Sequence, residues 1–160
     1  MTSTSRLDVL IVDDHDPQRR QLCGVLEDEG HTVTEAPGAA QALALVRDHA
    51  FDAIAMDVNM PGTDGLTAML RIGELDPDVS VVIVTGEQVI QAAREAVLKL
   101  GAFDVIAKMP EPDHLIGVVE EAARITRHRR GRDAAAAARA EDGLGMVGQS
   151  AASPRRRAAC

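Results

Sequence analysis

The sequence predicts an α/β fold, a single doubly wound parallel sheet built from five strand–helix units. Three observations lead there. Apolar runs of strand length alternate with stretches whose apolar residues recur at helical spacing. The runs are near-continuous, as strands covered on both faces by helices require. And four of the five runs end in polar groups: acids twice, a hydroxyl, an amine.

The first run, over 7–12 (Leu7-Asp8-Val9-Leu10-Ile11-Val12), stops at the pair Asp13-Asp14. Asp16-Pro17 then supplies the cap and first-turn residues of a helix over 16–29, closed by Gly30. A strand over 31–36 and a helix over 38–50 follow. The strand over 52–57 carries Ala53-Ile54-Ala55-Met56 and ends in Asp57, where Val58-Asn59-Met60-Pro61-Gly62 breaks it into a loop. A helix over 65–75 runs to the turn Asp76-Pro77-Asp78. The strand over 79–84 ends at Thr85-Gly86, and the helix over 88–100 keeps Ile90, Ala93, Val97 and Leu100 on one face before Gly101. The last strand, over 103–107, ends at Lys108. Pro112-Asp113 opens a helix over 112–128 with Leu115, Val118, Val119, Ala122 and Ile125 in phase. Crossovers between parallel strands are right-handed, and such sheets bind ligands beyond the carboxyl ends of their strands. All four polar clusters fall on that edge.

Composition narrows the function. A chain of 160 residues accommodates one domain and an extension. With no Trp, no Tyr and two Phe, the core must be aliphatic, and stacking on bases or sugars is excluded. Residues 1–126 carry 9 Lys+Arg against 22 Asp+Glu, a balance of −13, whereas residues 127–160 carry 8 Arg against 3 acids, +5. The folded part is therefore unsuited to direct nucleic-acid binding, and the basic tail reads as solvated. Neither an apolar stretch of membrane-spanning length nor a signal core in the leader 1–6 is present, so a soluble cytoplasmic protein with no membrane contact is expected. Cys23 and Cys160 lack metal-ligand spacing; Cys23 reads as a small core residue. Beyond residue 128 the periodicity dissolves into Arg129-Arg130-Gly131-Arg132, the run Ala134 to Ala138, and glycines. Domain limits of 7–128 for the folded part and 129–160 for a partly helical or disordered tail are expected; Gly131 interrupts the helical pattern, while the alanines beyond it allow a docked or dimerising helical extension to about residue 142, followed by disorder.

Asp13, Asp14 and Asp57 would lie on adjacent strand ends, a few ångströms apart. Each close pair repels by on the order of a few kcal/mol at an effective dielectric of ~20. Such a cluster either raises a carboxyl pKa or holds a hard cation, and few ligands at an open mouth suit Mg²⁺ better than Ca²⁺. A carboxylate beside Mg²⁺ can attack a phosphoryl group, with Lys108 and the Thr85 hydroxyl facing the transferred oxygens. Taken singly, the acidic pair reads as a helix cap and Lys108 as an ordinary ion-pair partner. Four coincident strand ends weigh against that plainer account.

These residues resemble the receiver domain of two-component response regulators. The family pattern is an acidic pair after strand 1, a phosphoacceptor Asp followed by Met-Pro-Gly-x-Asp-Gly after strand 3, Thr or Ser after strand 4 and Lys after strand 5. Here it reads Asp13-Asp14, Asp57 with Met60-Pro61-Gly62-Thr63-Asp64-Gly65, Thr85 and Lys108. The match runs from about Leu7 to Arg127. The resemblance implies a flavodoxin-like sheet of strand order 2-1-3-4-5. It implies that Asp57 accepts phosphate from a sensor histidine kinase or phosphotransfer protein. It further implies Mg²⁺ ligation by Asp14, Asp57 and the Asn59 carbonyl, with Asp13 acting through water, and no enzymatic activity beyond self-phosphorylation and self-dephosphorylation. Asn59 and Glu87 match the pair in the fast-cycling chemotaxis regulator, implying a short-lived phosphorylated state; Glu87 is otherwise an exposed helix start. The docking surface implied is the face of the helices over 88–100 and 112–128.

Departures from the pattern bear on switching. The family has Lys-Pro with a cis peptide; here Met109 follows Lys108 and the proline is displaced to Pro110. A cis bond before a non-proline residue costs ~2.5–4 kcal/mol, so that strain is kept or the loop is redrawn in trans. Val105 replaces the switch aromatic, which removes the usual ring rotation, and Phe103, two residues away, is expected on the same strand face but too deep to substitute. Gly86 in place of the common Ala loosens its loop. His15 reads as a helix-start residue, and His49, His114 and His128 as surface residues. Gly145-Met146-Val147-Gly148-Gln149-Ser150 resembles the opening of the ATPase domain of nitrogen-regulation-type sigma-54 activators, so a missing output domain or a downstream protein is the expected partner, with a homodimer also compatible. Two alternatives stand beside the phosphorylatable switch. One is a pseudo-receiver working by phosphate-independent docking or dimerisation. The other is an aspartate-nucleophile phosphatase, against which Asn59 counts because those enzymes carry a second Asp there.

Overall fold

The computed structural model describes residues 5–60, 62, 64–86, 94, 95 and 97–146, without the side chains of 143–146. Among them, five strands form one parallel sheet: β1 (Asp8–Val12), β2 (Thr32–Ala36), β3 (Ala53–Asp57), β4 (Ser80–Thr85) and β5 (Asp104–Ala107). Their order is β2-β1-β3-β4-β5, as the resemblance implied. The helices are α1 (Asp16–Asp28), α2 (Ala39–Asp48), α3 (Gly65–Leu75) and α4 (Pro112–Met146). Most of the helix predicted over 88–100, with Glu87, Ile90 and Ala93, lies outside the described residues, although residues 97–99 are helical and Val97 is buried.

Strand alternation divides the core into two layers. Leu10, Ile54, Met56, Val81, Ile83 and Val105 face Ala42 and Val46 of α2 and Ala68, Met69 and Ile72 of α3. Val9, Ile11, Ala53, Ala55, Val82, Val84 and Ile106 face Leu22, Cys23 and Leu26 of α1 and Leu115, Val119 and Ala122 of α4. The layers are aliphatic and alanine-rich, as the scarcity of aromatics demanded. Cys23 is a core residue whose thiol is pushed up to about 12, by burial first and by Glu35 next.

Four expectations need correction. Asp16 is not the cap of α1: His15 is, its Nδ1 accepting from the Gln18 N–H, with Asp16 in the first turn and Pro17 behind it. Thr85 is the last residue of β4 rather than the first of a loop. Phe103 does not share a face with Val105; it packs in the layer of α1 and α4 while Val105 packs in the other. Residue 103 precedes the strand, so the period of two does not reach it. Finally, Gly131 does not interrupt the last helix, which takes up the extension the alanines allow and continues slightly past it, to Met146. One glycine costs about 1 kcal/mol relative to alanine, and the run Ala134 to Ala138 favours the helix on its far side.

The described residues fall into two compact units that divide between Arg127 and His128. Among the described residues no helix is long and apolar enough to cross a membrane. The predicted tail beyond Met146 lies outside them.

Candidate functional site

Three carboxylates converge at the carboxyl edge of the sheet. Strands β1 and β3 are neighbours, so the residues that end or follow them must lie side by side. Asp13, Asp14 and Asp57 each offer an oxygen within 4.8 Å of the others. Asp13 and Asp57 are each only 1% exposed, whereas Asp14 is exposed and forms the open side.

Asp57 is held by its own loop and by the fifth strand. Its Oδ1 accepts from the Asn59 N–H at 3.0 Å, and its Oδ2 pairs with the Lys108 ammonium at 2.7 Å. Burial pulls the Lys108 ammonium down, but the hydrogen bond and charge of Asp57, with the charges of Asp13 and Asp14, outweigh it, so its pKa lies above the ordinary lysine value. Asp13 is raised too: burial first, then the charges of Asp57 and Asp14, hold its carboxyl above the ordinary range, against the His15 N–H and Lys108. Thr85 sits beside Asp57 on the neighbouring strand, buried, with its Oγ1 bonded to no protein group, and its carbonyl accepts from the Lys108 N–H at 2.7 Å.

The Lys108 loop is built in trans: no cis peptide occurs among the described residues. Met109 takes up the change instead, with φ 56, a left-handed conformation that non-glycine residues rarely adopt. It is 59% exposed, and Lys108 still reaches Asp57. Gly86 adopts no special φ, and an added Cβ would meet nothing within 4 Å, so glycine is not sterically required there.

Two motif residues prove structural. Asp64 caps α3, its Oδ1 accepting from the Leu66 N–H at 3.1 Å. A Cβ at Gly65 would stand 2.5 Å from Val58 Cα and 2.6 Å from the Asp57 carbonyl oxygen, so only glycine lets α3 approach the segment after Asp57 this closely. Pro61 and Thr63 lie outside the described residues. Arg19 escaped the sequence reading: it is 8% exposed, and its Nη1 donates to the Asp13 carbonyl at 2.8 Å. Its three-residue spacing from Asp16 was the one visible sign.

The donor set suits a small hard cation. All three candidate ligands are carboxylates, and Asp13 Oδ2 is buried without a hydrogen-bond partner among protein atoms, so a cation here would relieve both that and the mutual repulsion. Asn59 adds a backbone carbonyl two residues beyond Asp57, within the same loop.

Comparison with known proteins agrees with this geometry. Residues 9–120 match the family model described as the response regulator receiver domain. The transcriptional regulatory protein ZraR of Escherichia coli (strain K12) is 35% identical over 146 residues, 91% of this chain and 32% of ZraR. The C4-dicarboxylate transport transcriptional regulatory protein DctD of Rhizobium meliloti (strain 1021) is 35% identical over 145 residues, 89% of this chain and 31% of DctD. The chain thus spans about a third of the length of these curated relatives. The crystal structure of the receiver domain of NtrX from Brucella abortus superposes with a TM-score of 0.69 at 34% identity, covering 73% of this chain and 98% of that one.

Proposed function

Because the chain belongs to the response regulator receiver domain family, we propose that Asp57 is its phosphoacceptor and that Asp13, Asp14, Asp57 and the Asn59 carbonyl bind Mg²⁺. The observation that carries this reading is the convergence of three carboxylates, two of them buried, on one lysine. A structural acid has no use for two like charges at its side. A phosphoryl-transfer site does.

Asp57 is the nucleophile: a carboxylate oxygen attacks phosphorus as the bond from phosphorus to the donor's imidazole nitrogen breaks. Lys108 holds the attacking carboxylate in place and faces the oxygens that arrive with the phosphoryl group. Thr85 Oγ1, free of protein partners, is available to donate to one of them. Bound Mg²⁺ supplies neutralisation of the charge on the transferring oxygens. The product is an acyl phosphate that changes what the face around Thr85 and Lys108 presents to other proteins. The donor is the phosphohistidine of a sensor kinase or phosphotransfer protein, and the output lies in a further domain or a downstream protein. The curated relatives are named as transcriptional regulators, and transcription is the output we place downstream.

Mg²⁺ with acetyl phosphate or beryllofluoride, applied to wild type and Asp57→Asn, tests the assignment by intact mass and by amide chemical shifts. Mg²⁺-dependent modification that vanishes in the variant supports it. Modification that persists in Asp57→Asn, or none in wild type, overturns it.

A further inference from the structure

We propose that Arg19 is a positioning residue for the metal-binding acids, fixing the Asp13-Asp14 turn and thereby setting the affinity of the site for Mg²⁺. The inference rests on the metal reading above. The turn is pinned at three points. The Asp13 N–H donates to the Ala36 carbonyl at 3.2 Å, Asp13 Oδ1 accepts from the His15 N–H at 2.8 Å, and the Asp13 carbonyl accepts from Arg19 Nη1 at 2.8 Å. Two of these anchors are backbone groups. The guanidinium is the anchor that a substitution can remove.

Arg19 is itself held rigidly. Its Nη2 pairs with Asp16 at 2.6 Å and its Nε with Glu35 of β2 at 3.2 Å, leaving Nη1 for the Asp13 carbonyl. One planar fork thus links the first turn of α1, the end of β2 and the acidic turn. Two carboxylates already compensate its charge, so its effect on the site is geometric rather than a neutralisation of Asp13 and Asp14. With the Asp13 backbone fixed, Oδ2 is left buried and unpaired in a residue that offers an oxygen within 4.8 Å of those of Asp14 and Asp57. Lysine cannot reproduce three donors in one plane. Partners that orient a ligand typically change metal affinity about 10-fold or more when lost.

The test is calorimetric titration of Mg²⁺ alone into metal-free wild type, Arg19→Lys, Arg19→Met and Thr126→Val, with thermal melting of each. Calorimetry is apt because the chain has no Trp or Tyr to report binding. Thr126 is buried and accepts from the Ser80 N–H at 2.9 Å at the opposite edge of the sheet, so its loss destabilises without touching the acids. Both Arg19 variants should bind Mg²⁺ about 10-fold more weakly, and Thr126→Val should melt earlier with unchanged affinity. Should the Arg19 variants fail to fold, Glu35→Gln, which removes one anchor of the fork, should still weaken binding. Wild-type affinity in folded Arg19 variants, or in Glu35→Gln where they do not fold, overturns the positioning role. A wild type that takes up no Mg²⁺, indistinguishable from Asp57→Asn, overturns the metal reading itself.

Discussion

Strand β3 has an aspartate at each end, and the two live in opposite circumstances. Asp52, just before the strand, is 8% exposed, yet its oxygens are bonded: Arg127 Nε and Nη2 donate at 2.9 and 2.8 Å and the Asp8 N–H at 2.9 Å. Arg127 also donates to the Arg6 carbonyl and to Ser5 Oγ, so the pair staples α4 to the amino edge of the sheet. Asp57, five residues on, has one N–H, one ammonium and two neighbouring acids. The amino edge is satisfied and the carboxyl edge is crowded with like charge. Folding alone gives no reason to keep such crowding, which is what the proposed phosphoryl-transfer role calls for.

Exchanging each acid for its amide breaks the comparison most sharply. Asp57→Asn should abolish Mg²⁺-dependent phosphorylation altogether, with little change in stability. Asp52→Asn should leave phosphorylation intact and cost about 1–3 kcal/mol in denaturant unfolding. The range for losing one partner of a buried pair is larger, but the Arg127 side chain is 40% exposed and partly rescued by water. Loss of phosphorylation in both variants would show the two edges to be coupled rather than distinct.

Gly65→Ala should come next. The added methyl meets backbone at 2.5 and 2.6 Å, which cannot swing aside as a side chain can. Overpacking of this kind costs about 1–3 kcal/mol, and here it also displaces the segment that carries Asp57. Both unfolding and the acetyl phosphate reaction should therefore report it, which Asp52→Asn does not do.

Asp13→Asn tests whether the carboxyl edge is held under electrostatic strain. The Asp13 carboxyl is above its ordinary value in the folded, metal-free protein, so the fold binds its proton more tightly than the unfolded chain does. The sign follows: this contribution favours folding below the unfolded value near 3.8 and is lost as pH rises through the folded one. At neutral pH the ionised group opposes folding. Metal-free Asp13→Asn should consequently be more stable than wild type by about 1 kcal/mol at neutral pH, with the gain shrinking under acid, and should bind Mg²⁺ less well. Equal stability at all pH values would mean that Lys108 fully offsets the repulsion.

Much of this was legible in the sequence, for physical reasons. A strand buried on both faces must be apolar, so an acid at its end stands out, and parallel topology forces such ends together. Asp57, the acidic pair, Thr85 and Lys108 were visible on that logic. What was not visible depends on long-range or local geometry. Arg127 lies 75 residues from Asp52, and nothing in either neighbourhood marks the pair. His31 escaped notice because a single histidine has no pattern; it is buried, with Nε2 3.6 Å from a Glu120 oxygen. Phe103 was misplaced because the strand begins one residue after it. The sequence left the end of the last helix open between Gly131 and about residue 142, because composition cannot decide how one glycine weighs against the alanines beyond it.

Met109 gives the smallest effect and bears on the most distinctive departure of this chain. With φ 56 it occupies the left-handed region, which costs a residue with a Cβ about 1–2 kcal/mol. Glycine removes that cost but adds about 0.5–1 kcal/mol of backbone entropy in the unfolded chain. Met109→Gly should therefore stabilise the protein by only about 0.5 kcal/mol, with the Lys108 to Asp57 pair and phosphorylation retained. Met109→Pro should do the reverse, since proline fixes φ near −65° and cannot adopt the observed angle. Restoring the Lys-Pro pair of the family thus requires the loop to be rebuilt, and Lys108 with it. If Met109→Pro instead phosphorylates faster than wild type, the trans loop is a compromise that holds Lys108 less well than the family's own. If it phosphorylates more slowly, the left-handed residue is what brings the ammonium to Asp57 in this chain.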